Sequence, residues 1–257
     1  MNFTALSGGL LAGFLFLALL GMIELGRRLG ISKRTRHGTV SEGLGAVEGA
    51  VFGLLGLLIA FTFSGAASRF DSRRGLIVEE ANDIGTAWLR IDVLPTEAQP
   101  ALRDKFREYT DARIAVYRAF PDIAAARDQL ARANAIQTEI WALAVPAAQA
   151  GHASAPMLLL PAINSMFDIA NTRMWAALTH PPPVIFVLLI SLSLCCGLFA
   201  GYGMAAAPHR NWLYMMGFSL VLSGAVFVIV DIEFPRLGLI RLDSFDKAIV
   251  DVRESMK

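Results

Sequence analysis

The sequence predicts an all-α polytopic membrane protein: four transmembrane helices, with a helical extramembrane domain inserted between the second and third. Four long apolar runs, at 6–25, 46–67, 184–207 and 212–230, lie two on each side of a polar stretch. Each is about 20 residues, enough for a helix to cross a hydrocarbon core of ~30 Å. The chain of 257 residues is 55% hydrophobic with mean hydropathy +0.52, against roughly 45–50% apolar residues in soluble domains. Its charged residues gather between the runs, and the polar stretch carries helical periodicity with almost no strand signal. The expected divisions are 1–67 for the first two spans and a basic connecting loop, 68–181 for the helical domain, 182–232 for the last two spans, and 233–257 for a tail.

The first run is too long for a signal peptide, and its basic cluster follows it rather than precedes it. Arg27, Arg28, Lys33, Arg34 and Arg36 fall between the first two runs, which places that loop in the cytoplasm. The polar domain would then be periplasmic, in a bacterial inner membrane. Opposing bases at Arg69, Arg73, Arg74, Arg173, Arg236, Arg241 and Lys247 argue the other way, but short loops weigh more in setting orientation.

Thr39 and Glu42 form a capping-box pattern ahead of the second span. Ser41, Gly45, Gly49 and Gly53 then recur every fourth residue and draw a small-residue ridge down one helix face. Such a ridge serves tight packing inside a subunit, or faces neighbouring subunits or a pore. Leu57 and Phe61 continue along it, and on a central axis they would form an apolar constriction of the kind that gates by dewetting. The alternative for both is ordinary packing or lipid contact.

Past the membrane the same helix is expected to continue. Phe70, Ile77, Ile84 and Ile91 are spaced by seven, with Ala81 and Trp88 between them, which is a heptad seam. Pro95 and Pro100 break it. A second helix follows, with Leu102, Phe106, Tyr109, Val116 and Phe120 on one side and Arg103, Lys105, Arg107, Glu108 and Asp111 on the other. Pro121 and Asp122 open a third helix, apolar at Ile123, Ala126, Leu130, Ala133, Ile136, Ile140 and Leu143. Residues 151–156 read as a loop, and a fourth helix as about 161–178. Pro181, Pro182 and Pro183 introduce the third span, and residues 208–211 a tight turn before the fourth. A short amphipathic helix is expected from Ser244.

Asp231 and Glu233 stand where the fourth span ends. A helix C-terminus is partially negative, so carboxylates there need compensation. Candidate partners are Arg236, Arg173, Arg69, Arg73 and Arg74, or a bound cation.

Enzyme signals fail one by one. Residues 63–65 lack the first glycine of a hydrolase elbow, and there is no phosphate loop or zinc-binding helix motif. Four scattered histidines and the adjacent Cys195 and Cys196, inside an apolar run, offer no metal set, so no cofactor is expected. A net charge of +1 points to no nucleic-acid partner. The expected partners are the lipid bilayer, inorganic ions and further copies of the chain.

The segment 80–95, EANDIGTAWLRIDVLP, resembles the hallmark of the bestrophin-like family of bacterial and plant membrane proteins. NSMFD at 164–168 with Arg173 and the three prolines, and DIEFPRLG at 231–238, are similar to its later motifs. More distantly the chain resembles bestrophin anion channels, pentamers whose second helix lines the pore with an apolar neck and runs into a segment rich in arginine and aromatics. RFDSRR at 69–74, with Asn82, is similar to that segment. The resemblance implies an oligomeric ion channel, anion-selective where it follows the bestrophin channels, with Gly53, Leu57 and Phe61 at neck positions. Arg69, Arg73 and Arg74 would stand at the pore mouth, with Asp231 and Glu233 bracing it or holding a cation. Two features depart from the pattern: Gly53 is too small to constrict, and the basic cluster favours the opposite orientation. The rival reading is a membrane-anchored structural or signalling module with no pore, whose helical domain recruits a partner.

Overall fold

The structure, a computed structural model, describes residues 5–37, 44–120, 122–207, 209–236 and 238–257. Its elements are helices α1 (Ala5–His37), α2 (Leu44–Leu89), α3 (Gln99–Arg118), α4 (Ile123–Ala150), α5 (Ala155–Leu178), α6 (Pro183–Met204), α7 (Trp212–Glu233) and α8 (Lys247–Ser255). One turn of 3₁₀ helix, Arg90–Val93, follows α2. No strand occurs among the described residues. Among the described residues four helical segments are long and apolar enough to cross a bilayer, and the chain is a multi-pass membrane protein. The chain forms two compact units, Met1–Ser68 with His180–Leu239, and Arg69–Thr179 with Ile240–Lys257. Both contain part of α2.

In the first unit α1 lies close against α6, and glycine makes this possible. A Cβ on Gly26 would stand 1.9 Å from the Leu198 carbonyl oxygen, and one on Gly201 1.9 Å from that of Ile23. Gly30 meets Tyr202 and Ala205 in the same way, and Gly197 meets Leu19. Such contacts replace side-chain volume with backbone-to-backbone dispersion, the main attraction between helices where lipid removes the hydrophobic driving force. Leu15, Leu19, Leu55, Leu189, Cys196, Val226 and Ile229 fill the rest of this core. Phe52 and Phe218 meet edge to face at 6.1 Å.

The second unit is a soluble-type helical core. The heptad seam buries Ile77, Ala81, Ile84, Trp88 and Ile91. Against it pack Leu102, Phe106 and Tyr109 of α3, Ala133, Ile136 and Ile140 of α4, and Leu159, Ile163 and Met166 of α5. Arg103 and Arg107 cover the face of Trp88. Asp122 caps α4, its Oδ1 accepting from the backbone N–H of Ala124 and Ala125 at 3.0 Å.

Some details differ from the sequence expectations. Arg27, Arg28, Lys33 and Arg34 lie on the last turns of α1 rather than in a loop. Arginine and lysine are good helix formers, and no helix breaker separates them from the apolar run except Gly26 and Gly30, which pack on α6. Helix α5 begins at Ala155, six residues before the expected start, because Pro156 occupies its first turn, where a missing N–H costs nothing. Pro161 therefore lies inside the helix. Ile123 and Leu143 of α4 are exposed rather than buried. Thr39, Ser41, Glu42, Pro121 and Pro208 lie outside the described residues.

Candidate functional site

Gly53, Leu57 and Phe61 follow one another at four-residue intervals on α2, so they share a face. Within the chain that face is uncovered: Leu57 is 52% and Phe61 68% exposed, and a Cβ on Gly53 would meet nothing within 4 Å. Gly45, Gly49 and Gly56 are equally open. Thr62 does not present its hydroxyl to this face. It donates back along the helix to the carbonyls of Leu58 and Ile59, at 2.8 and 3.0 Å.

The three arginines that follow have different environments. Arg69 is half-buried. Arg73 is nearly buried and donates to the main-chain oxygens of Ala176 and Thr179, at 3.0 and 2.8 Å. It thereby satisfies carbonyls that the C-terminus of α5 leaves without partners, and its charge suits the negative end of that helix. Arg74 is half-exposed, lies 5.3 Å from the ring centre of Phe245, and pairs loosely with Asp71.

At the end of α7 both carboxylates are buried. Asp231 accepts from the backbone N–H of Leu239 through both oxygens, at 2.9 and 3.1 Å. This wrap requires glycine at 238, where a Cβ would fall 2.0 Å from Asp231 Oδ1. Glu233 stands 2.9 Å from Nδ1 of His180, whose ring lies 4.4 Å from that of Phe234. The compensation demanded by the helix end thus comes in part from a backbone amide and a histidine absent from the sequence candidates.

A second charged centre was missed at the sequence level. Glu80, fully buried on the α2 seam, accepts from Arg113 Nε of α3 and from Arg173 Nη1 of α5, each at 2.5 Å. Arg173 also reaches Asp246 at 2.6 Å. Tyr117 joins both arginines: Arg113 donates to its hydroxyl at 3.1 Å, and the Arg173 guanidinium lies 3.6 Å from its ring centre. Burial works against the charge on Arg113, but Tyr117 and Glu80 outweigh it and hold its pKa above the usual range. Burial likewise raises the Tyr109 hydroxyl, which stays protonated and accepts from Gln137 at 3.2 Å. Position offered the only sequence signal: Arg73 and Glu80 are charges spaced by seven within a buried apolar stripe. Arg173, named as a partner for the α7 carboxylates, is committed to Glu80 and Asp246.

Among the described residues no three His, Cys, Asp or Glu side chains are grouped to hold a metal ion.

The chain is similar in fold to a bacterial bestrophin homolog from Klebsiella pneumoniae, solved as a crystal structure of a point-mutated form. The TM-score is 0.70 at 13% identity, and the match covers 94% of this chain and 98% of that one. No curated protein matches. The model of the bestrophin-like domain matches residues 12–244, from the first span through the α7 exit and into the segment before α8. The chain belongs to the bestrophin-like family.

Proposed function

We propose that the protein is an oligomeric ion channel with α2 lining the pore. The observation that carries this reading is the open face of α2. The membrane part of the helix leaves Gly53, Leu57 and Phe61 uncovered within the chain, whereas its extension is buried on the seam. Assembled around an axis, copies of that face would place rings of Phe61 and Leu57 at a neck, with Gly53 marking a wider section. An apolar ring of this kind closes by expelling water and opens with a small gain in radius.

Arg69, Arg73 and Arg74 follow on the same helix and give its exit a positive character that favours anions. Arg73 contributes charge while holding α5, and Arg74 is the more accessible. Asp231 and Glu233 brace the α7 exit. The protein is placed in the bacterial inner membrane, with the basic end of α1 in the cytoplasm and the helical unit in the periplasm.

Ion flux through the purified oligomer in liposomes tests this reading, with chloride, sodium and potassium gradients compared. Flux is expected, with chloride preferred, and Phe61→Ala is expected to raise it severalfold. A folded oligomer that passes no ion would favour the membrane-anchored module. Flux indifferent to Phe61→Ala would move the neck elsewhere.

A further inference from the structure

In the helical unit, the end of α3 and the chain from Arg241 into α8 bound a cavity of about 480 Å³. Small-molecule sites typically measure about 300–1,000 Å³. Ile114, Tyr117, Phe120 and Ile249 supply an apolar, partly aromatic wall. Arg118, Arg241 and Lys247 stand around it, with Asp243 and Asp246.

These charges do not cancel locally. Asp243 pairs with Arg241 at 2.6 Å. Asp246 is drawn away to Arg173 at 2.6 Å, and Arg173 is not part of the lining. Neither Arg118 nor Lys247 has an ion-pair partner among the described residues. The cavity therefore combines an apolar, partly aromatic wall with two cations that have no ion-pair partner among the described residues, a pairing suited to an anion carried on an apolar body.

The same wall belongs to the buried charged centre. Tyr117 lines the cavity while its ring covers Arg173 and its hydroxyl accepts from Arg113. Asp246 lines it while holding the other end of Arg173. Both arginines terminate on Glu80 of α2. A ligand that draws on Tyr117 or Asp246 changes how firmly that helix is held.

We propose that this cavity binds a small organic anion, a phosphate or carboxylate group on a planar apolar body, and that occupancy stiffens α2 around Glu80. Arg118 and Lys247 hold the anionic group, and Tyr117 and Phe120 hold the body. The proposal stands whether or not α2 lines a pore.

The test is calorimetric titration of the full-length protein in nanodiscs with 1-naphthyl phosphate and 1-naphthoate, which separate the phosphate and carboxylate sources. Inorganic phosphate and neutral 1-naphthalenemethanol serve as comparators. At least one aromatic anion is expected to bind, and Arg118→Ala with Lys247→Ala to weaken it about tenfold or more. Both side chains are exposed, so the variant should fold, as its melting curve would show. Lys247→Gln alone offers a milder second variant. Unchanged affinity in these variants, or comparators binding as tightly as the aromatic anions, would overturn the site. Hydrogen exchange then reads the coupling: residues 77–84 should exchange more slowly at saturation, in the parent and not in the double variant. No change there would overturn the link to α2.

Discussion

Glycines at the same spacing do opposite work in two parts of the membrane unit. Gly26 and Gly30 of α1, and Gly197 and Gly201 of α6, are four residues apart and pressed against backbone or side chains of the facing helix. Gly45, Gly49 and Gly53 of α2 have the same four-residue spacing, yet a Cβ on any of them would meet nothing within 4 Å. Spacing states that a helix face can be approached closely. It does not state what approaches. In α1 and α6 the chain answers its own ridge, while in α2 the ridge is left to something outside the chain, a second copy or lipid.

The largest expected effect breaks the packed side. Gly201→Leu forces a branched side chain into the space held by the Ile23 backbone, and neither helix can yield without losing the contacts around it. Overpacking at a site that can adjust costs roughly 1–3 kcal/mol. A clash with main chain should exceed that and abolish folded protein, read as loss of the monodisperse peak in size-exclusion chromatography. Recovery of well-folded Gly201→Leu would mean that α1 and α6 are not held this closely.

Next comes an internal contact of another kind. Glu80→Gln keeps the shape of the side chain but removes the charge that two buried guanidiniums share. Leaving buried charges without their counterion costs about 3 kcal/mol or more. The thermal midpoint of the variant should fall by several degrees. An unchanged midpoint would show that Tyr117 and Asp246 suffice for both arginines.

Sequence and structure part company where the partner of a residue is distant. The spans, the seam through Ile77 and Ile84, and the cap at Asp122 follow from local period and turn chemistry, and they are present. Leu57 and Phe61 could be placed on one face from spacing alone, and that face proves open. Glu80 could not be recognised as a counterion, because its arginines come from helices 33 and 93 residues further on. Arg73 reads from the sequence as a partner for the α7 carboxylates or a pore-mouth cation, and its bonds to the α5 carbonyls become visible only once that helix is located. The glycines of α1 and α6 passed unremarked for the same reason, since close approach is a property of a helix pair.

A smaller effect separates the two candidates for the α2 ridge. Gly49→Leu meets open space within the chain, so secondary structure and monomer fold should be retained. If neighbouring copies approach along the ridge, the variant should run as smaller species in native mass spectrometry or cross-linking. If lipid covers it, the oligomer should be indistinguishable from the parent. The second result would remove the packing role proposed for this face and with it much of the support for α2 as the central helix.

The smallest effect has the opposite sign. Gly53→Ala adds one methyl where nothing lies within 4 Å, and it replaces the helix interior residue that loses most backbone entropy on folding. Alanine should therefore stabilise α2 by roughly 0.5–1 kcal/mol, raising the thermal midpoint slightly, whereas Gly201→Ala, with its Cβ 1.9 Å from a carbonyl oxygen, should lower it. The pair of alanine variants compares one substitution in two environments with side-chain chemistry held constant. Should Gly53→Ala also destabilise, α2 must be approached at Gly53 as closely in the assembly as α6 is at Gly201, and the pore could not widen at that level. Flux measured on the same variant would then tell a tight helix contact from an open vestibule, because one added methyl barely narrows an open ring.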